Sequence, residues 1–190
     1  MVKLACEGID GCNPLELELD SRIQFRDGMS TKEIQKILIQ TAIEKVIQSG
    51  KDNQGNNIRK TNANWQYVAA RLLCFDLYKE AKISRNYNNF GYGDYYELVK
   101  KLVEAKLYGE YLIENYSDEE IKELGNYIVP ERDELFNYEG LKLLNDRYLI
   151  KGHNGEILEL PQERFMTIAM HLAIPEGNNR VFLRKNSMMF

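Results

Sequence analysis

Apolar residues recur every three or four positions through most of this chain, a spacing that predicts a succession of amphipathic helices. Between Thr31 and about Gln48, the residues Ile34, Ile37, Leu38, Ala42 and Val46 share one side. Ser30 and Glu33 stand at capping-box spacing before them, with Thr31 as the alternative cap and Ser49-Gly50 as the stop. Trp65–Ala81 carries Val68, Ala69, Leu72, Leu73, Phe75 and Leu77 over so wide a face that it reads as a core helix. Asp94 can cap a helix that aligns Tyr95, Leu98, Val99 and Leu102. Ser117 with Glu120 forms a second capping box, opening a short helix through Ile121 and Leu124 that Gly125 and Pro130 close.

The stretch Arg132–Leu172 organises the rest and reads as helix, hairpin, helix. Asp133 can cap a helix in which Leu135, Phe136, Leu141 and Leu144 recur near helical spacing. Arg147–Lys151 and Glu156–Leu160 then flank His153-Asn154-Gly155, and Asn-Gly between two such runs is a hairpin signal because both residues accept positive φ. Pro161 opens the next helix at a position where a missing N–H costs little, and Phe165, Ile168, Ala169 and Leu172 mark its expected buried face.

Elsewhere the pattern is less decided. Leu15, Leu17 and Leu19 alternate with acids, as a half-buried strand would, but Pro14 and an acidic first turn equally suit a helix start. Lys51–Asn64 is polar and Asn-rich, and reads as a flexible, solvated connector. Ser84–Gly93 is a loop with three aromatics, either a docking surface or a loop pinned by its own rings, the second being favoured.

Composition narrows the function classes. The chain has 190 residues, 44% of them apolar, and a net charge of -4. That supports one domain or two small ones and gives no electrostatic reason to bind a nucleic acid. No apolar run reaches the length of a membrane span, and MVKLACEGIDG is too short in apolar residues for a signal peptide. Cys6, Cys12 and Cys74 form an odd set without CxxC spacing, which suits reduced thiols in a cytoplasmic protein and no metal site. His153 and His171 have no companion at ligand spacing.

RDELFNYEGLKLLNDRYL, followed by GEILELPQERFMTIAMHLA, resembles the N-terminal helical domain of the large (α) subunit of class I ribonucleoside-diphosphate reductases. The earlier segments ACEGIDG, LELELDSRIQFRDGMSTKEIQKILIQTAIEKV and WQYVAARLLCFDLYKEA are similar to the rear part of that family's ATP-cone. The resemblance implies a mainly α, bundle-like chain with one small β-hairpin and no catalytic barrel. It divides the sequence into residues 1–84, a partial ATP-cone-like segment, residues 85–180, the helical domain, and residues 181–190. It also favours the helix for the Leu15–Leu19 run.

In this family the ATP-cone binds ATP or dATP as an allosteric effector, and a basic β-hairpin that precedes the matching residues supplies most phosphate contacts. Thr31, in DGMSTKEI, matches a threonine that meets the adenine nucleotide, and Lys79, in FDLYKEA, matches a lysine that contacts phosphate. The chemistry is sound, although Thr31 also reads as a helix-start residue and Lys79 as a solvated lysine. A cone without its hairpin is expected to expose apolar surface and to self-associate.

Reduction itself uses a cysteine thiyl radical, a redox cysteine pair and a glutamate in a barrel that follows the helical domain. Nothing in this chain matches those motifs, so no catalytic residue is assigned and the chain alone is expected to be inactive. The resemblance implies two partners, the remainder of the large subunit and a radical-generating small subunit that holds the only metal. After HLAIPEGNNRVF the family continues much like FAKEFYDV, whereas this chain reads LRKNSMMF. One permitted coding of that tail, shifted by a single base, translates as FAKEFYDV, so residues 181–190 are expected to be an out-of-frame reading. The competing expectation is a non-catalytic helical module that binds an adenine nucleotide or a partner protein.

Overall fold

The computed structural model describes residues 1–51 and 57–179. The expected out-of-frame tail lies outside these described residues. The elements run α1 (Val2–Cys6), α2 (Pro14–Arg22), α3 (Thr31–Glu44), β1 (Ile47–Lys51), β2 (Asn57–Thr61), α4 (Trp65–Arg85), α5 (Tyr95–Glu104), α6 (Tyr111–Asn115), α7 (Asp118–Gly125), α8 (Tyr138–Arg147) and α9 (Pro161–Ala173). Short 3-10 segments cover Pro130–Leu135 and Ile174–Asn179. The chain is mainly α.

It divides into two compact units. One comprises Met1–Asp76 with Asp133–Leu143, the other Leu77–Arg132 with Leu144–Phe190. The core of the first gathers Leu17 from α2, Leu38, Ile39 and Ala42 from α3, and Trp65, Val68, Ala69 and Leu72 from the front of α4. In the second, Tyr95, Leu98, Val99 and Leu102 of α5 pack with Leu112, Ile121, Leu124, Met166 and Met170.

Local capping chemistry places most helix starts where the sequence predicts them. The Ser30 side chain accepts from the Glu33 N–H while the Glu33 carboxylate accepts from the Ser30 N–H, at 3.2 and 2.8 Å. Ser117 and Glu120 repeat this reciprocal pair. Asp94 accepts from the Glu97 N–H at 3.1 Å, and Pro161 takes the first position of α9. The Leu15–Leu19 run is helical, with Asn13 accepting from the Leu15 N–H. In the aromatic loop, Phe90 and Tyr92 stand edge-on to Tyr78, with centroids 5.6 and 5.7 Å apart, so the rings pin the loop; α4 also runs on to Arg85.

Four expectations are corrected. The helix expected to reach Gln48 ends at Glu44, and β1 begins at Ile47. Lys51–Asn64 is not simply a solvated connector, because β2 pairs antiparallel with β1 from Ile47↔Thr61 to Lys51↔Asn57. The backbone donors of a polar segment are satisfied by that ladder as well as they would be by water.

The hairpin expected around His153-Asn154-Gly155 does form there and needs no correction: it is a tight turn with Gly155 at φ +81° and an antiparallel bridge, Lys151↔Ile157. Beyond the bridge the Ile150 carbonyl accepts from the Leu158 N–H at 3.2 Å, while the Ile150 N–H donates to the Glu159 carboxylate at 3.0 Å.

Asp133 does not cap a helix. It is buried within the 3-10 segment Pro130–Leu135, beside the Cys74 thiol at 3.6 Å. Asn137 takes the capping role for α8 by accepting from the Gly140 N–H at 2.8 Å. Leu135 is consequently exposed, while Leu141 and Leu144 are buried as expected.

The fourth correction concerns α9. Phe165, Ile168 and Leu172, expected inside, are exposed, and Met166, Thr167, Met170 and Ala173 face the core. The helix is apolar on both sides, so periodicity alone could not choose between them.

Candidate functional site

In the first unit the start of α3 adjoins an open cavity of about 610 Å³, lined by Ile23, Gln24, Arg26, Asp27, Met29 and Glu33 among others. Gly28, at φ +82°, allows the chain to turn in front of it. Thr31 is the first residue of α3 and is exposed. The positive end of the helix is already occupied, because the Glu33 carboxylate accepts from both Ser30 N–H and Ser30 Oγ–H, at 2.8 and 2.7 Å. These bonds from Ser30 hold the Glu33 carboxyl below the usual range. A phosphate would meet that carboxylate, so the hydroxyl of Thr31 suits the base or ribose of a nucleotide better than its phosphates.

Lys79 lies in the other unit, half-buried on the rear of α4. Neither unit by itself assembles both candidate nucleotide residues.

The second unit contains a buried polar network that sequence reasoning misses. Arg85 Nη1 lies 2.8 and 2.9 Å from the two carboxylate oxygens of Glu163, which also accepts from the Leu160 N–H at 2.8 Å. Burial pushes the Glu163 carboxyl up to about 7, with Arg85 pulling the other way. Four residues earlier, ahead of α9, Glu159 takes a short hydrogen bond from the Tyr108 hydroxyl. Thr167 Oγ1 sits 3.0 Å from Tyr108 Oη and 2.9 Å from Tyr95 Oη. Burial raises both Glu159 and the Tyr108 phenol.

Two carboxyls four residues apart can serve acid–base chemistry only where a substrate reaches them. Here protein donors occupy them and both side chains are fully buried, so the arrangement is a strut tying α9 to the end of α4 and the residues after α5. The signal is present in LELPQERF, where two glutamates interrupt an apolar run on either side of a helix-opening proline.

Cys6, Cys12 and Cys74 are all buried and outside any disulfide. Burial pushes Cys6 and Cys12 up to about 11, far from the depressed pKa that an attacking or redox-active thiol needs. Among the described residues no group of three or more His, Cys, Asp or Glu is placed to hold a metal ion. No helix among them is long and apolar enough to cross a membrane.

Residues 134–189, which contain α8 and α9, match the family described as the ribonucleotide reductase all-alpha domain. Over 171 residues, 90% of the chain, the sequence is 40% identical to the ribonucleoside-diphosphate reductase subunit alpha of Helicobacter pylori. The chain belongs to the ribonucleoside-diphosphate reductase alpha-subunit family. It is also 33% identical over 166 residues, 87% of its length, to subunit alpha 1 of Escherichia coli, and 38% identical over 117 residues to the Treponema pallidum subunit. The aligned stretch is 19% of the Helicobacter, 20% of the Escherichia and 14% of the Treponema subunit, so the chain spans about one fifth of the length of the alpha subunits it matches. The exposed apolar side of α9 and the Glu159, Glu163 and Thr167 part of the polar strut lie within the matched residues, whereas Arg85, Tyr95 and Tyr108 precede them.

Proposed function

We propose that this chain is the N-terminal regulatory and supporting part of a ribonucleoside-diphosphate reductase large subunit, and carries out no chemistry of its own. The whole subunit would convert ribonucleoside diphosphates to deoxyribonucleoside diphosphates in the cytoplasm, supplying DNA synthesis. Its radical would come from a separate, metal-bearing small subunit. The observation that carries this reading is the 40% identity sustained over 171 residues. The sealed glutamates and the high-pKa thiols support the second clause, since neither set is available to a substrate.

A chimera tests it. The corresponding stretch of the Helicobacter alpha subunit is replaced by this chain and assayed with its small subunit and a dithiol reductant. A reductase that forms deoxyribonucleotides supports the reading, and a folded but inactive chimera overturns it. Turnover by the isolated chain would overturn the claim that it has no chemistry.

A second reading, in which the chain itself binds ATP or dATP, rests on the family resemblance at Thr31 and Lys79; neither residue lines the cavity beside α3. When bound, the nucleotide would act as an effector, with Thr31 meeting its base or ribose. Calorimetry with ATP and dATP should give saturable binding that Thr31→Ala weakens at least roughly fivefold with the melting temperature unchanged. Ser30→Ala is the control, costing about 1 kcal/mol of stability through the lost cap. Absence of saturable heat ends this reading while leaving the first intact.

A further inference from the structure

Asn154-Gly155 is the only Asn-Gly pair in the sequence, and it stands in the turn between Lys151 and Ile157. Both residues are exposed. The turn is held by main-chain donors. The Gly155 N–H donates to the Gly152 carbonyl at 3.0 Å, the Gly152 N–H to the Glu156 carbonyl at 2.9 Å, and the Asn154 N–H to Glu156 Oε2 at 2.9 Å. Among the described residues, no hydrogen bond holds the Asn154 side-chain amide. Gly155 carries no side chain, and a Cβ placed on it would meet open space. We propose that Asn154 is a site of intramolecular modification, at which the Gly155 amide nitrogen attacks the Asn154 side chain and the residue becomes isoaspartate or aspartate.

The chemistry needs only water and hydroxide. Hydroxide takes the Gly155 amide proton, the nitrogen bonds to Asn154 Cγ, and the Cγ–Nδ2 bond breaks to release ammonia. One water then opens the resulting five-membered imide. Attack at Cγ leaves aspartate. Attack at the main-chain carbonyl of residue 154 leaves isoaspartate, in which the backbone runs through the side chain. That carbonyl is the more electrophilic, because the carbon beside it bears the amide nitrogen, so isoaspartate predominates. Other asparagines lack these features. Asn115, Asn126 and Asn137 are each followed by a tyrosine, whose side chain crowds the attacking nitrogen. Asn115 Nδ2 also donates to the Tyr111 carbonyl at 2.8 Å, and Asn137 Oδ1 accepts from the Gly140 N–H at 2.8 Å.

The position of the turn gives the change a consequence. Isoaspartate inserts a methylene into the main chain between Gly152 and Gly155, so the bond that closes the turn loses its register. The Lys151↔Ile157 bridge and the bond from the Leu158 N–H to the Ile150 carbonyl follow directly on it. The Ile150 N–H in turn donates to the buried Glu159 carboxylate at 3.0 Å. A longer backbone in the turn therefore loosens one end of the polar strut. Aspartate adds a charge beside Glu156 but leaves the backbone length unchanged.

Incubating the full chain in mildly alkaline buffer and following its tryptic peptide 152–164 by mass spectrometry tests this. The peptide should gain the one mass unit that separates hydroxyl from amino, and resolve chromatographically into two products with isoaspartate the larger. The rate should rise in proportion to hydroxide. It should stay within roughly tenfold of the rate in urea, because opening a surface turn costs little. Peptides carrying Asn115, Asn126 and Asn137 should remain unchanged over the same period. Asn154→Gln, which would have to close a larger ring, should leave peptide 152–164 unchanged too. The converted protein carries an added negative charge and is separated by anion exchange. It should melt below the unmodified chain and exchange the Ile150 N–H faster, whereas Asn154→Asp should match the unmodified chain in both. Conversion of 152–164 no faster than the Asn–Tyr peptides, or conversion in urea alone, would overturn the assignment. An Asn154→Asp variant as destabilised as the converted protein would overturn the role given to the lengthened backbone. The chimera assay reads catalysis and is independent of these outcomes.

Discussion

Arg85 Nη1 sits between the two carboxylate oxygens of Glu163, 2.8 Å from one and 2.9 Å from the other, with the two side chains only 5% and 0% exposed. The residues are 78 positions apart, and the pair fastens the end of α4 to the first turn of α9. The Arg85 guanidinium also lies over the Tyr87 ring, 4.9 Å from its centroid. A buried pair of this kind contributes little net stability over well-packed apolar residues, but removing one partner strands a charge. Arg85→Met should therefore destabilise the second unit by roughly 3–5 kcal/mol near pH 8. Arg85→Met/Glu163→Leu should recover much of that loss, less the Leu160 N–H bond. Urea unfolding followed by circular dichroism measures both. A single variant as stable as wild type would mean the pair is not closed in solution.

The same carboxyl makes stability depend on pH. Its folded pKa, about 7, lies above the ordinary glutamate value of 4.5. Between those values the folded chain keeps a proton that the unfolded chain has released, so stability falls as pH rises. The contribution is fully present below about pH 4.5 and is lost by about pH 7. Glu163→Gln keeps an acceptor for Leu160 N–H but cannot ionise, and serves as the reference. Wild type should lose stability relative to this variant as pH rises from 4.5 to 7, with a slope of roughly 1.4 kcal/mol per pH unit in the middle of that window. A wild-type minus variant difference that is flat with pH would refute the raised pKa. The Arg85→Met penalty should also shrink at the acidic end, where Glu163 is neutral.

What can be read from the sequence and what cannot divides along the range of the interactions. Ser30 with Glu33, Asp94 with Glu97, Ser117 with Glu120, and Pro161 each act within a few residues, and their side chains announce the helix starts. Asp133 carries the same chemistry a few residues too early, and nothing local separates a capping aspartate from one buried beside Cys74. The β1–β2 ladder is hidden because its strands read as polar loop and the pairing joins Ile47 to Thr61 across intervening chain. Thr31 and Lys79 stand out only through family resemblance. The Arg85–Glu163 strut is half legible: LELPQERF sets Glu159 and Glu163 in an apolar run, but nothing local names Arg85 as the partner until the fold brings them together.

Cys6 and Cys12 offer a chemical check on burial. Both thiols are pushed up to about 11, chiefly by loss of solvent, so at pH 8 almost none of either exists as the reactive thiolate. Iodoacetamide labelling of the native protein at that pH, read by peptide mass spectrometry, should leave both unmodified. Labelling in denaturant should reach all three cysteines. Rapid native labelling of Cys6 or Cys12 would show that the first unit opens readily around α1.

The orientation of α9 yields the sharpest mutational contrast, because the sequence pattern and the structure put opposite faces inside. Met166 and Met170 are 1% and 0% exposed and belong to the core of the second unit, whereas Ile168 and Leu172 are 40% and 69% exposed. Truncating a buried methionine removes its transfer energy and leaves a cavity, so Met170→Ala should cost roughly 2–5 kcal/mol in the isolated chain. Leu172→Ala should stay within about 0.5 kcal/mol there, as surface changes do. In the chimeric large subunit, the ranking should change if more polypeptide covers this helix, because Leu172→Ala would then create a cavity too. Comparing the two substitutions in both contexts, by urea midpoint and by retained activity, locates what the outer stripe is for. Equal costs in the isolated chain would mean that α9 is rotated about its axis from the orientation described.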